Sequence, residues 1–241
     1  MESIAVTAAT TVHAGACSAV GRDRDADVVV CGPTWFAIAD GVGGHDDGDV
    51  AGRVVADALA SEAAPRSLDD VAASIGRVDD AVRSAARRNG DVAMGATLVA
   101  AVPLAGGMAV AHVGDARCYR LTGGALTLLT HDHSYVQELV DLGRLTPDEA
   151  RHHRLRHLVT RALGVDGAAQ PEVAFVPHAV GRLLLCTDGL ASTVSPRSIG
   201  RVLSGIDDPR AAADRLVALS TRAGSVDSVT ALVVDDRGER S

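Results

Sequence analysis

The sequence predicts an α+β fold in which sheets pack together and helices cover them from outside. Three observations carry that expectation. Four strand-like runs follow one another in mid-chain, helical stretches come in pairs before and after them, and strand and helix never alternate as in a doubly wound parallel sheet. With 241 residues, 47% of them apolar but only 2% aromatic, the core must be built from Ala, Val and Leu. No internal repeat, linker or low-complexity stretch interrupts the chain, so one domain over residues 1–241 is the simplest account.

Val28 to Cys31 and Trp35 to Ala39 read as two buried strands joined by the Gly32-Pro33 turn. A glycine-rich acidic loop, Asp40 to Asp49, leads into an apolar-periodic helix from Val50 to Glu62. A second helix carries Val71, Ile75, Val78, Val82 and Ala85 at steps of three and four, so two helices should pack on one sheet. Ala96 to Val102, Met108 to Val113, Arg117 to Leu121 and Leu126 to Leu129 follow as strands with glycine-containing turns between them, which predicts an antiparallel meander. Residues His131 to Gly164 are polar, hold five of the nine histidines and contain the helix start Thr146-Pro147-Asp148-Glu149, so they read as a helical excursion from the sheet. Strands at Val173 to Val176 and Leu183 to Cys186, helices at Pro196 to Leu203 and Pro209 to Ala223, and a strand at Val229 to Val234 complete the chain.

The 31 acidic and 23 basic side chains, net charge -8, create no field that would gather a polyanion, which argues against nucleic acid as a partner. No window reaches the ~20 apolar residues a membrane span needs, and the first fifteen residues lack a signal-peptide pattern, so a cytoplasmic protein is expected. Cys17, Cys31, Cys118 and Cys186 form no CxxC pair and are expected to be buried thiols.

Asp40-Gly41 ends the run Trp35-Phe-Ala-Ile-Ala, and Asp188-Gly189 ends Leu183-Leu-Leu-Cys-Thr. Each sets a carboxylate where a buried strand reaches the surface, a rigid position suited to a metal ligand, and the adjacent glycine lets a carbonyl oxygen approach a hard cation. Asp-Gly is also a common turn dipeptide. Asp227, just before the closing strand, and Asp115, in Val113-Gly-Asp-Ala-Arg117 between two central strands, add two more carboxylates at strand ends that can converge on the same point.

The segments Ala37-Ile-Ala-Asp-Gly-Val-Gly-Gly-His45, Met94-Gly-Ala-Thr97, Val113-Gly-Asp-Ala-Arg117, Leu129-Thr-His-Asp-His-Ser134, Cys186-Thr-Asp-Gly-Leu190 and Asp227-Ser-Val-Thr230 together resemble the protein phosphatase 2C family of metal-dependent protein phosphatases in its bacterial form. They occur in the family's order and span nearly the whole chain. Residues 135–150, with Arg161-Ala-Leu-Gly164, resemble the family's flap subdomain, which accounts for the excursion over about 131–164. The resemblance implies a four-layer α-β-β-α sandwich of two antiparallel sheets with helix pairs outside. It also implies serine/threonine dephosphorylation by a metal-bridging water.

Carried over position by position, the resemblance makes Asp40, the Gly41 carbonyl, Asp188 and Asp227 the holders of two catalytic Mn2+ or Mg2+ ions, with Asp115 and Asp188 holding a third, weaker one. The family's N-terminal motif aligns with His13-Ala-Gly15, Ser18 and Gly21-Arg22-Asp23, which adds Asp23 to the catalytic carboxylates. Ser18 stands at the position of a phosphate-gripping arginine and Arg22 at that of an acidic residue, so Ser18 and Arg22 are the candidate phosphate contacts. A hydroxyl in place of a bidentate guanidinium should weaken phosphate binding. The general acid is unassigned among His45, His131, His133 and water. The implied partners are phosphoproteins, a serine/threonine kinase among them, and the chain is expected to be a monomer. A phosphatase-like binding protein with weak turnover, or a hydrolase of small phosphate esters, are the competing readings.

Overall fold

The computed structural model describes residues 4–6, 10–19, 27–42, 47–89, 94–165, 167, 169–177 and 181–239. The strands are β1 (Ile4–Val6), β2 (Thr10–Ala19), β3 (Asp27–Cys31), β4 (Phe36–Val42), β5 (Gly95–Leu104), β6 (Gly107–Val113), β7 (Arg117–Thr122), β8 (Ala125–Leu128), β9 (Glu172–Pro177), β10 (Gly181–Cys186) and β11 (Val229–Glu239). They form a six-stranded sheet in the order β1-β2-β11-β10-β7-β8 and a five-stranded sheet in the order β3-β4-β5-β6-β9. Every pairing is antiparallel.

Strand alternation sorts the apolar residues into three cores, and three cores between layers make four layers. On β5, Ala96, Leu98, Ala100 and Val102 pack outward against α1 (Asp47–Ser61) and α2 (Leu68–Asn89), meeting Val55, Ile75 and Val82. Val99 and Ala101, the alternate residues, pack inward with Phe36 and Ile38 of β4 against Leu183, Leu185 and Leu232 of the other sheet. Behind that sheet, Leu184, Ala231 and Val233 meet Ile199 of α6 (Pro196–Gly205) and Leu216 of α7 (Pro209–Arg222). The expected α-β-β-α sandwich is therefore present. Alanines fill much of both sheet faces, which is how a chain so poor in aromatics closes its core.

Local chemistry sets the helix ends. Ser195 and Asp208 cap α6 and α7 by accepting from the Ser198 and Ala211 N–H groups (3.3 and 2.7 Å), and Pro196 and Pro209 occupy the first turn, where a missing N–H costs nothing. The excursion after β8 holds α3 (Tyr135–Asp141) and α4 (Pro147–His152). Helix α4 starts in a capping box between Thr146 and Glu149, as Thr146-Pro147-Asp148-Glu149 predicts.

Two expectations need correction, and two strands are added to those read from the sequence. The four central strands are not one meander: β5 and β6 belong to one sheet, β7 and β8 to the other. The chain crosses between sheets at Gly114, whose φ of +100° breaks the strand and turns it away from β5. The amino-terminal region, for which the sequence reading placed no element, contributes β1 and β2, and β2 pairs with β11 in the larger sheet. Cys31 is exposed at the end of β3, whereas Cys118 and Cys186 are buried as expected; the Cys17 side chain lies outside the described residues. Among the described residues, no helix is long and apolar enough to cross a membrane.

Candidate metal centre

Phe36 and Ile38 face the space between the sheets, so the next residue of that row on β4, Asp40, faces it as well. The β3–β4 hairpin pairs Asp27 directly with Asp40, which makes the two carboxylates neighbours at the open end of the sandwich. From the opposite sheet, β10 ends with Leu185 facing inward and Thr187 two residues on. Asp188 then opens the short helix α5 (Asp188–Ala191). Asp27 is buried and accepts hydrogen bonds from Thr187 Oγ1 (3.3 Å) and Thr230 Oγ1 (2.6 Å), so one carboxylate of the smaller sheet fastens two strand ends of the larger one.

These carboxylates repel one another. Burial pushes the Asp40 carboxyl well above the usual carboxylate range, and the charges of Asp27, Asp188 and Asp115 push it further. Asp115, at the crossing between the sheets, is raised by burial and then by Asp188 and Asp132. Asp227, before β11, lies on the other side of Asp188. His157 stands between them, with Nδ1 3.5 Å from Asp188 Oδ2 and 3.7 Å from Asp227 Oδ2, and ligand atoms of the three residues all lie within 4.8 Å of one another. Contact with Asp188 raises the His157 pKa.

Glycine is required beside both aspartates by close approach, not by turn geometry. A methyl group on Gly41 would run into the backbone of Gly48 at the start of α1, and one on Gly189 would run into the Ser228 carbonyl. The carboxylates of Asp40 and Asp188 thus sit where two pieces of backbone are already in contact, which limits how far they can move.

The excursion is pinned to the same place. The Gly114 N–H donates to His133 Nδ1 (3.1 Å), and the His133 N–H donates to the Gly114 carbonyl (2.9 Å). His133 stacks on His112 with ring centroids 4.5 Å apart, and its Nε2 reaches Glu172 Oε1 (3.1 Å), which Arg161 also holds (3.2 Å). Arg117 grips Asp132 with both arms of its guanidinium (2.6 to 3.1 Å). At the far end of the excursion Leu163 exchanges two backbone hydrogen bonds with Ala96 of β5 (2.8 and 3.0 Å). His112, His133 and Glu172 also come within 4.8 Å of one another. Because Gly114 already occupies His133 Nδ1 and the Arg161 guanidinium stands beside the group, this second cluster is a hydrogen-bond network that anchors the excursion.

Of the predicted site residues, Asp40, Asp115 and Asp188 lie close enough to act on one another's charge, Asp227 meets Asp188 across His157, and Gly41 follows Asp40 on β4. Arg22, Asp23 and His45 lie outside the described residues. Ser18 pairs with Thr230 along β2 and β11, but its side chain is not described. His131 is drawn away, its Nε2 bonded to Asp141 (2.8 Å). Two residues beside the cluster escaped the sequence reading. Asp27 was legible, because folding the predicted strands about Gly32-Pro33 already sets it opposite Asp40. His157 was not, because it is one of three histidines within six residues with no motif to single it out.

The aspartate oxygens gathered here are crowded and partly buried, and oxygen donors of this kind fit a hard divalent cation. The family model described as Protein phosphatase 2C matches residues 18–231. The serine/threonine protein phosphatase PstP of Mycobacterium tuberculosis is 37% identical over 220 residues, covering 89% of this chain, which spans only 42% of that protein. The serine/threonine phosphatase stp of Listeria welshimeri is 33% identical over 208 residues, 82% of each chain. Among solved structures, the catalytic domain of PstP in complex with two manganese ions superposes with a TM-score of 0.84 at 35% identity, over 93% of this chain and 97% of that one. The chain belongs to the protein phosphatase 2C family.

Proposed function

We propose that the protein is a metal-dependent phosphatase that hydrolyses phosphoserine and phosphothreonine in proteins. The observation that carries the reading is Asp40, a half-buried carboxylate at the end of β4 facing the charges of three others, a costly arrangement unless cations lie among them. Asp40, the Gly41 carbonyl, Asp188 and Asp227 would hold two Mn2+ or Mg2+ ions, and Asp115 with Asp188 a third. Divalent cations bound there would neutralise phosphate charge and make coordinated water acidic enough to attack phosphorus near neutral pH. The chain's own part is to fix the ligands. Asp27 ties down the strand ends that precede Asp188 and follow Asp227, and the Gly114–His133 pair holds the crossing that carries Asp115.

Asp23 remains a candidate carboxylate of the site, and Ser18 and Arg22 candidate phosphate contacts. A phosphoprotein made by a serine/threonine kinase, the kinase itself included, is the natural substrate. A cytoplasmic monomer is the form in which we expect it to act.

The test is hydrolysis of a phosphothreonine peptide with Mn2+, with Mg2+, with chelator, and by Asp188→Asn. Turnover that needs the metal and falls by orders of magnitude in a folded Asp188→Asn variant supports the assignment. A folded variant that keeps its activity overturns the ligand set. Metal binding measured by calorimetry without turnover of any ester would favour a binding protein.

A further inference from the structure

A cavity of about 390 Å³ opens beside the carboxylates, within the range of built ligand sites of roughly 300–1,000 Å³. One wall is the metal centre itself, Asp115 and Asp188. Away from it the lining becomes apolar: Leu126 and Leu128 of β8, Val136 and Val140 of α3, Ala191 of α5 and Pro196 of α6. Leu128 is 42% exposed, unusual for a leucine in a chain that buries most of its large aliphatics. Arg151 and Arg156 also line the cavity. Arg156 has no carboxylate partner among the described residues, and Arg151 meets only the exposed Asp148 at 3.7 Å. The third arginine of the lining, Arg117, is taken up by Asp132.

We infer that this groove receives the substrate segment next to the phosphorylated residue, with an apolar side chain among Leu126, Leu128, Val136 and Val140 and an acidic side chain at Arg156 and Arg151. The inference rests on the phosphatase reading. Two observations select this occupant. The groove is continuous with the carboxylates to which the phosphate must come, and an extended peptide advances ~3.3 Å per residue, so neighbours of the phosphoresidue enter the next part of the same cavity. The unpaired cation at its rim complements a carboxylate and repels a basic residue. The excursion thus acquires a role in selection: α3 forms the apolar wall, and the turn after α4 supplies Arg156.

The test compares three phosphothreonine peptides with the Mn2+-loaded protein: leucine on both sides of the phosphothreonine with glutamate beyond, serine in place of leucine, and lysine in place of glutamate. The leucine peptide should exceed the serine peptide in kcat/KM by about tenfold or more, as expected for a side chain filling an apolar pocket, and lysine should lower it again. Leu128→Asp, at a side chain already in solvent, should bring the leucine-to-serine ratio close to one. Val140→Ser serves as a second variant should the first fail to fold.

A ratio near one in the wild-type protein, or a ratio unchanged in both variants, overturns the proposal. A dimer in sedimentation that Leu128→Asp dissociates also overturns it, in favour of a second copy of the chain in the groove. Hydrolysis of p-nitrophenyl phosphate separates the two readings: turnover of that small ester with no preference among peptides removes the groove and keeps the phosphatase. Where no ester is turned over, fluorescence anisotropy of labelled peptides decides, and equal affinity for the leucine and serine peptides overturns the groove on its own.

Discussion

Replacing Asp40 by Asn should separate two opposite effects of one carboxylate. In the metal-free protein the Asp40 carboxyl lies well above its usual range, first through burial and then through Asp27, Asp188 and Asp115. Its folded pKa therefore exceeds its unfolded one, and between the two values the folded state holds more protons. Stability is then greatest below the ordinary carboxylate range and declines as pH rises towards the raised pKa, by about 1.4 kcal/mol per pH unit for each extra proton held. Asn has the same shape and no charge, so this loss disappears. In chelator at about pH 7.5, Asp40→Asn should melt above the wild type, by roughly 3–5 °C for each pKa unit of displacement in a chain of this size. At about pH 4 the difference should shrink. With Mn2+ at a hundred times its Kd the wild type gains ~2.7 kcal/mol and the variant far less, so the wild type's melting temperature should rise relative to the variant's. Thermal melts followed by circular dichroism in the three conditions make the test. A folded variant that melts below the wild type in chelator at about pH 7.5 would refute the claim that the cluster is strained by its own charge.

Gly189→Ala places a methyl group against the Ser228 carbonyl, so the turn that carries Asp227 must shift away from Asp188. We expect overpacking to cost about 1–3 kcal/mol and Mn2+ affinity to fall at least about tenfold, measured by urea unfolding and calorimetry. Arg182→Ala removes a buried guanidinium that bonds Asp235 at 2.6 and 3.0 Å and donates to the Leu203, Ile206 and Asp207 carbonyls at the end of α6. The loss should be about 3–5 kcal/mol by urea unfolding, and Arg182→Lys should not restore it, because a point charge cannot reproduce the planar fork.

What the sequence disclosed depended on how local the determining physics was. The near-continuous apolar runs at residues 36–39 and 96–102 announced β4 and β5 because both faces of that sheet are covered. Thr146 and Pro147 announced α4 because a capping box is written in four consecutive residues. The meander failed at Gly114: from the sequence alone, a glycine between two strands reads equally as a hairpin turn or as a crossing, and only the packing of Met108 and Val110 against Leu183 and Leu185 decides between them. Strand β2 was missed because its β-branched start, Thr10-Thr-Val12, gives way to the small residues Ala14 to Ala19, and only pairing with β11 carries the strand through them. The carboxylates at strand ends were legible as residues able to converge, and the resemblance grouped them, but the partners that hold them there, Thr187 and Thr230 on Asp27 and His157 on Asp188, were not, since the two sheets meet only in the folded chain.

That convergence links the site to the stability of the sandwich. Asp27 and Asp40 come from the smaller sheet, Asp188 and Asp227 flank strands of the larger, and Asp115 lies on the chain that passes between them. Repulsion among these charges pushes the two sheets apart at one end, while the inter-sheet core of Ile38, Val99, Leu185 and Leu232 and the hydrogen bonds from Thr187 and Thr230 to Asp27 hold them together. A cation shared by ligands from both sheets would reverse the sign of the first contribution without altering the second. With the cation held by those carboxylates, metal affinity and sheet packing would be thermodynamically linked: a change that loosens the inter-sheet core should lower metal affinity, and bound metal should raise the free energy needed to open the sandwich.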